Sequence, residues 1–360
     1  MHGASLMKGI RETDKNAVFR CFGGGLMQAQ GGSLAKHYRD MAFMGVWKVL
    51  MNIGTITRNL NYCRQDLLDF QPDVIILIDF PGFNLRIARF AREKGFKVFY
   101  YISPKVWVWH KKRLKVIRET IDKMFVIFPF EVEFYRNHNM KAEYYGNPVL
   151  DAIADKLDET GSSWSPAAEG LDSGKPVIAL LPGSRKQEIH YCLPEMLAVM
   201  PQFPGYQFII AGAPGLELSL YEKYMKSFNV KIVFNHTYDV LKNSTAAVVA
   251  SGTATLETAL MMVPEVVCYK MGAVTYNIGK HFIRPRFFSL VNIITGKEVV
   301  KELLQSKLRQ RIAEELNKIL VDNTYRQAML DNYKSLRDML GQPGASQRAG
   351  RRMVELLKGS

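Results

Sequence analysis

The chain has 360 residues, 48% hydrophobic and 23% charged, the composition of a folded protein of about two domains, which excludes a disordered or fibrous chain. Its net charge of +14 calls for an acidic partner: nucleic acid, an anionic membrane or a phosphorylated substrate. No stretch offers the ~18 uninterrupted apolar residues of a membrane span. Met1–Lys8 lacks the basic-then-apolar order of a secretory leader. The scattered Cys21, Cys63, Cys192 and Cys268 have no CxxC spacing and no nearby histidine pattern. They read as reduced thiols of a cytosolic protein with neither zinc nor a disulfide framework.

Ser5–Arg11 reads as a helix, and Ala17–Phe22 as a strand running into three glycines. An α/β domain normally opens with a central strand feeding its first helix. None precedes Ser5, so the expectation is a chain lacking the true start of its domain. Ala42–Phe70 has helical period and gathers Phe43, Met44, Val46, Trp47, Val49, Leu50, Met51 and Ile53, with Lys48, Arg58 and Arg64 among or after them. Two readings stand: a helix packed into its own core, or an apolar patch with a basic fringe that lies on a membrane. Val74–Ile78 is a buried strand with Asp79 at its C-terminal end, where open parallel sheets build their sites. Asp79 either caps the following helix, Leu85–Lys94, or serves as a base. Lys97–Ile102 repeats the pattern, leaving through Ser103-Pro104 into a stretch where Trp107, Trp109 and His110 stand beside Lys111, Lys112 and Arg113. Such a mixture stacks nucleic-acid bases or holds a lipid headgroup. Strands Met124–Phe128 and Glu143–Tyr145 follow, and the recurring strand–turn–helix units specify a doubly wound parallel sheet.

Residues 156–176 turn to Gly, Ser, Pro and charge, the composition of a linker. The expected division is 1–165, 172–325, and closing helices 326–360 that return onto the first domain. Pro176–Leu181 is a strand leading into the turn Pro182-Gly183-Ser184-Arg185. Arg185 either forks two hydrogen bonds onto a diphosphate or is a surface residue. After strands Gln207–Gly212 and Lys231–Phe234, the stretch Ala246–Pro264 runs apolar, breaks at Ser251-Gly252-Thr253 and resumes as helix. A helix starting at such a turn offers unpaired N–H groups and a positive dipole end, and Gly252 admits a phosphate to the backbone. Glu257 lies about a turn further on. Ala254 three residues earlier rules out a capping box, which leaves helix-dipole stabilisation or a sugar hydroxyl. Val266–Lys270 adds a strand, residues 271–297 again mix aromatics with Lys280, His281, Arg284 and Arg286, and everything beyond Glu298 reads as helices.

Two α/β domains, one with a phosphate turn and the other with a strand-end carboxylate, suggest the GT-B layout: two Rossmann-like doubly wound parallel sheets facing a cleft. IDFPGFN (78–84), YYISPKVWVWHKKR (100–113), FPFE (128–131), LLPGSR (180–185), SGTATLE (251–257) and SLVNIITGKEVVKELLQ (289–305) narrow this further. In order and spacing, over nearly the whole chain, they resemble the lipid-A-disaccharide synthases. The resemblance implies an inverting hexosyltransferase of lipid A biosynthesis. Its donor would be UDP-2,3-diacylglucosamine, its acceptor 2,3-diacylglucosamine 1-phosphate (lipid X), and its product the β-1,6 tetraacyl disaccharide 1-phosphate. Asp79 matches the family's catalytic aspartate. The resemblance places the diphosphate at Gly183, Ser184, Arg185, Ser251, Gly252 and Thr253, the ribose at Glu257, and acceptor or phosphate contacts at Asn84, Ser103, Trp107 and Asn292. It implies no cofactor and no metal, in keeping with the lack of any DxD.

Acylated substrates and a basic chain together imply a cytoplasmic protein peripheral on the inner membrane, with Phe43, Met44, Val46, Trp47 and Leu50 toward the lipid. A homodimer is compatible with this, and nucleic acid is not expected. Only Gly3-Ala4 of the family's glycine-rich opening segment is present, Asn147 stands where many members have His, and Val291 where many have Pro. The rival readings are another GT-B sugar-nucleotide enzyme (a UDP-GlcNAc epimerase or peptidoglycan glycosyltransferase), a nucleic-acid-binding protein, and a truncated, inactive membrane-binding homologue.

Overall fold

The computed structural model describes residues 2–41, 51–107, 112–158, 164–172, 174–272 and 286–359. The expected membrane-facing Phe43, Met44, Val46, Trp47 and Leu50 lie outside these, as do Trp109, His110, Lys111, Lys280, His281 and Arg284. The chain divides into two compact units, Met1–Asp151 with Gln342–Ser360, and Ala152–Gly341. The first boundary thus falls inside a helix, ahead of the Gly/Ser/Pro-rich stretch. Of the closing residues only those from Gln342 onward group with the first unit.

Unit 1 runs α1 (His2–Thr13), β1 (Arg20–Gly23), α2 (Gly25–Ala29), β2 (Ser33–His37), α3 (Ile53–Phe70), β3 (Ile75–Ile78), α4 (Pro81–Glu93), β4 (Val98–Tyr101), α5 (Lys112–Thr120), β5 (Lys123–Val126), α6 (Pro129–Arg136), β6 (Ala142–Tyr144) and α7 (Pro148–Asp158). β3-β4-β5-β6 form one parallel sheet; β1 and β2 pair, also in parallel, as a separate two-stranded sheet. Successive strand side chains point to opposite faces. On β4, Val98 and Tyr100 therefore enter a core with Ile87 and Ala88 of α4 and Leu114 and Ile117 of α5. Phe99 and Tyr101 enter the other core, with Leu6 and Ile10 of α1. α3 is tied to the small sheet by polar contacts. Arg20 forks onto Asp66 (2.6 and 3.0 Å), and the buried Asn59 takes Lys36 (2.7 Å) while donating to the Asp40 carbonyl (2.9 Å).

Unit 2 continues with β7 (Val177–Leu181), α8 (Lys186–Leu197), β8 (Gln207–Gly212), α9 (Ser219–Met225), β9 (Lys231–Phe234), α10 (Thr237–Lys242), β10 (Ser244–Ala250), α11 (Thr253–Leu260), β11 (Glu265–Tyr269), α12 (Leu290–Thr295), β12 (Lys301–Leu304), α13 (Leu308–Val321) and α14 (Asn323–Leu340). Its parallel sheet has the order β12-β11-β10-β7-β8-β9. The expectation of helices alone beyond Glu298 is corrected by β12. Lys-Glu-Leu-Leu favours helix locally, but pairing along the edge of β11 decides for strand.

Gln342–Ser360 return to unit 1 as α15 (Ala345–Lys358), whose Ala349, Met353 and Val354 complete the core under α1. Asp151 caps this helix, accepting from the N–H groups of Gly344 (2.7 Å), Ala345 (2.9 Å) and Ser346 (2.9 Å). α1 and α15 cross in backbone contact. A Cβ on Gly9 would stand 2.6 Å from the Ser346 carbonyl oxygen, and one on Gly350 2.7 Å from the Ile10 nitrogen. Gly9→Ala should therefore cost about 1–3 kcal/mol by overpacking. Gly54→Ala, whose Cβ meets nothing within 4 Å, should gain up to about 1 kcal/mol of helix propensity. Urea midpoints compare the two, and an unchanged midpoint for Gly9→Ala would mean that the helices do not touch in solution.

Candidate active site

In unit 1, β3 stops at Ile78, and Asp79 and Phe80 both adopt left-handed backbone (φ 44° and 45°). Such a conformation costs a non-glycine residue on the order of 1–3 kcal/mol and persists only where neighbours impose it. Two do. Asn84 Nδ2 (2.6 Å) and the Tyr100 hydroxyl (2.6 Å) both donate to the Asp79 carbonyl, and Asn84 Nδ2 also reaches the Ile78 carbonyl (3.1 Å). Tyr100 is fully buried on β4, and burial raises its phenol well above the usual range. Asp79's carbonyl is thus drawn inward while its side chain is exposed, with no hydrogen bond or ion pair among the described residues. The capping alternative fails: α4 starts at Pro81, its cap residue is Phe80, and no side chain caps it. Asn84, expected at the acceptor, has its NH2 group engaged by main-chain carbonyls. The structure makes it a positioning residue for the Asp79 turn.

Ser103 and Trp107 join a buried network instead of an open surface. Ser103 Oγ shares a 2.6 Å hydrogen bond with the Tyr135 hydroxyl and donates to the Pro104 carbonyl (3.0 Å). Trp107 Nε1 donates to Glu131 Oε1 (3.2 Å), and Glu131 Oε2 accepts from the N–H groups of Ile127 (3.2 Å) and Phe128 (3.1 Å). Glu131, the last residue of the FPFE motif, therefore fastens the exit of β4 to the exit of β5. It is 1% exposed, and burial pushes its carboxyl up to about 7 although Phe128, Trp107, Ile127 and Ser103 all bond to the charged form. Asn147 is also fully buried, donating to the Ile127 carbonyl (2.9 Å) and accepting from Val149 N–H (2.9 Å).

In unit 2 the strand order reverses between β7 and β10, which lie side by side with Val249 paired to Leu181. A doubly wound sheet binds its ligands at the C-terminal ends of the strands at such a point. The two turns singled out in the sequence, Gly183–Arg185 after β7 and Ser251–Thr253 after β10, both fall there. α11 begins at Thr253; the Thr255 N–H bonds back to the Gly252 carbonyl (3.3 Å), and the N–H groups of Thr253 and Ala254 have no partner among the described residues. Gly252 has an extended φ of 164°, and its Cβ position is open space. The glycine thus leaves room for a ligand and relieves no strain.

The β7 turn differs. Glu188 accepts from the N–H groups of Ser184 (2.9 Å) and Arg185 (3.1 Å), and pairs with the Arg185 guanidinium (3.0 Å). Gly183 has φ 105°, and a Cβ there would stand 2.5 Å from Glu188 Oε2. Glu257 Oε1 takes the Tyr238 hydroxyl (2.8 Å), which leaves Oε2 without a partner among the described residues. Burial raises its carboxyl, and the Tyr238 bond opposes that shift.

Asn292, expected at an acceptor or phosphate, has its side chain engaged by its own framework. It is fully buried, donating to the Val300 carbonyl (2.8 Å) and Glu302 (2.9 Å) and accepting from Val299 (2.7 Å) and Val300 (3.0 Å) N–H. Glu302 also holds the N–H groups of Phe288 and Ser289, both at 2.8 Å, and the Phe288 carbonyl accepts from Ser251 Oγ (3.2 Å). The 289–305 motif thereby supports the β10 turn from behind. Sequence reasoning missed Tyr100, Glu131, Glu188, Tyr238 and Glu302. Glu131 and Glu188 carry a local signal, an acid in the first turn of a helix. The others act through neighbouring strands or loops and have none.

Glu131 generates a pH prediction. A carboxyl raised in the folded state destabilises once ionised, so its contribution is neutral below the unfolded value and worsens as pH rises through about 7. Between pH 4.5 and 8, wild type should lose about 3 kcal/mol relative to Glu131→Gln. Paired thermal melts across that range measure it, and parallel curves would show that Glu131 is not buried as described.

The family model described as lipid-A-disaccharide synthetase matches residues 1–352. The lipid-A-disaccharide synthase of Myxococcus xanthus is 36% identical over 99% of this chain and 94% of its own length. That of Syntrophus aciditrophicus is 37% identical over 100% and 95%. The S. aureus MnaA–UDP structure has a TM-score of 0.65 at 10% identity, covering 99% of this chain and 93% of that one. The glycosyltransferase SnogD from Streptomyces nogalater has a TM-score of 0.56 at 16% identity, covering 98% and 94%. At such identities the structures speak to the fold alone, and the fold is GT-B. With its strand-end turns in place and its likeness running from end to end, the chain belongs to the lipid-A-disaccharide synthase family of glycosyltransferases.

Proposed function

We propose that this chain transfers the 2,3-diacylglucosamine of its UDP donor to the 6-hydroxyl of 2,3-diacylglucosamine 1-phosphate, with inversion. The observation that carries the reading is the exposed Asp79 carboxylate on a strained turn locked by Asn84 and Tyr100. The acceptor oxygen attacks the anomeric carbon and its proton passes to Asp79. The bond to the diphosphate breaks, and its electron pair leaves with UDP. On unit 2, the N–H groups of Thr253 and Ala254 at the start of α11 receive the developing charge, joined by Arg185 once it exchanges Glu188 for phosphate. Glu257 Oε2 takes a ribose hydroxyl. The amphiphilic substrates place this chemistry at the surface of an anionic membrane, and no helix among the described residues is long and apolar enough to cross one.

Two variants test the two units separately. Asp79→Asn should lower kcat about 100- to 10,000-fold in a detergent-micelle transfer assay, with UDP affinity within about twofold of wild type. Full activity would remove Asp79 as the base, and no transfer by a folded wild type would return the chain to the epimerase reading. Gly252→Val should melt like wild type, since its Cβ lies in open space on extended backbone. Its UDP affinity by calorimetry should nevertheless fall about tenfold or more. Unchanged affinity would move the diphosphate away from this turn.

A further inference from the structure

α3 and α4 pack together on one face of the unit 1 sheet. At their outer surface is a cavity of about 240 Å³ lined by Arg64, Arg86, Arg89, Phe90 and Glu93. That is several times the share of one water molecule, about 30 Å³. Three guanidinium groups meet a single carboxylate there. Arg86 and Arg89, three apart on α4, share a helix face. Both are exposed and without a hydrogen bond or ion pair among the described residues. Arg64, from α3, lies over the Phe90 ring at 5.5 Å with Nη1 toward Asn61 (3.4 Å). Its Nε–H is sealed from solvent and has no acceptor among the described residues. Three like charges beside one carboxylate are unfavourable, and an anion bound among them relieves the excess. Forked donors in this number match the oxygens of a phosphoryl group.

The neighbouring surface decides between a dissolved phosphate and one fixed on an amphiphile. At the start of α3, Met51 is 82% and Ile53 54% exposed. Apolar residues and arginines on the same helix pair suit the boundary between acyl chains and headgroups. We propose that the Arg64–Arg86–Arg89 pocket binds the phosphate of an anionic lipid headgroup and so seats unit 1 on the membrane. This rests on the reading of a chain that works at a lipid surface, but it names a site on the α3–α4 face, separate from the strand-end turn of Asp79.

The test is flotation of the full chain with phosphatidylcholine vesicles, with and without phosphatidylglycerol, at physiological salt. Wild type should float only with the anionic vesicles. R86Q/R89Q should reduce partitioning about 30-fold. R86K/R89K, which keeps the charge but loses the fork, should reduce it about tenfold. Both residues are exposed, so melting temperatures should match wild type and exclude misfolding. Binding by R86K/R89K equal to wild type would overturn the pocket in favour of diffuse charge. A wild type that ignores anionic vesicles would sink the membrane reading along with it. Saturable, arginine-dependent calorimetric binding of inorganic phosphate, with vesicle binding indifferent to the variants, would replace the lipid by a soluble anion. None of these readouts depends on glycosyl transfer, so the pocket and the proposed activity fail separately.

Discussion

A parallel sheet has no solvated face, and most of what unit 1 does with its chain follows from that. β4 is buried at all four positions, with Val98 and Tyr100 toward one core and Phe99 and Tyr101 toward the other. The crossover helices α4 and α5 help cover the first face. The second is closed by α1 and α15, elements more than three hundred residues apart, which can approach only because Gly9 and Gly350 let their backbones touch. Asp151 fixes the start of α15 at the right place. With both faces covered, the C-terminal ends of the strands remain as the ground where polar groups reach solvent, and Asp79 stands there.

The residues around those strand ends mostly hold the turns and leave few groups to face a ligand. Asn84 and Tyr100 fix one carbonyl, Glu131 joins the exits of two strands, and Asn292 with Glu302 braces the loop that meets Ser251. Each is buried or half-buried and occupied on several sides. Replacing one leaves its partners unsatisfied in a low-dielectric interior, which costs more than the bond itself. A short polar motif can therefore be as specific as a binding motif while touching no substrate.

Two electrostatic settings of arginine bear on anion binding. Arg20 and Arg185 have carboxylates at hydrogen-bond distance, and for Arg185 the partner Glu188 also holds the loop's amides. Arg86 and Arg89 have none among the described residues. A net charge of +14 does not distinguish these settings. A paired guanidinium must exchange one anion for another, whereas an unpaired cluster attracts an anion directly and with strong salt dependence.

Much of the fold was legible in the sequence. Apolar runs marked β3, β4, β5, β7, β8 and β10, and small-residue turns marked where the last of these meets its helix, because both signals are local and steric. β2 and β12 were not legible: five residues of mixed polarity and Lys-Glu-Leu-Leu become strands only when a neighbour offers its edge. The site divides along the same line. Asp79 and Gly252 were singled out from their place after a strand, and Glu257 from its place about a turn into the helix that follows. That Asn84, Ser103 and Asn292 face inward could not be read, because hydrogen-bond partners come from segments distant in the chain. Composition by itself left the partner open among nucleic acid, membrane and phosphorylated substrate, and the resemblance of the motifs to one family supplied the class of chemistry. Tertiary structure decided which polar groups hold the turns and which are free to act, since a buried amide must satisfy its own hydrogen bonds before it can serve a ligand.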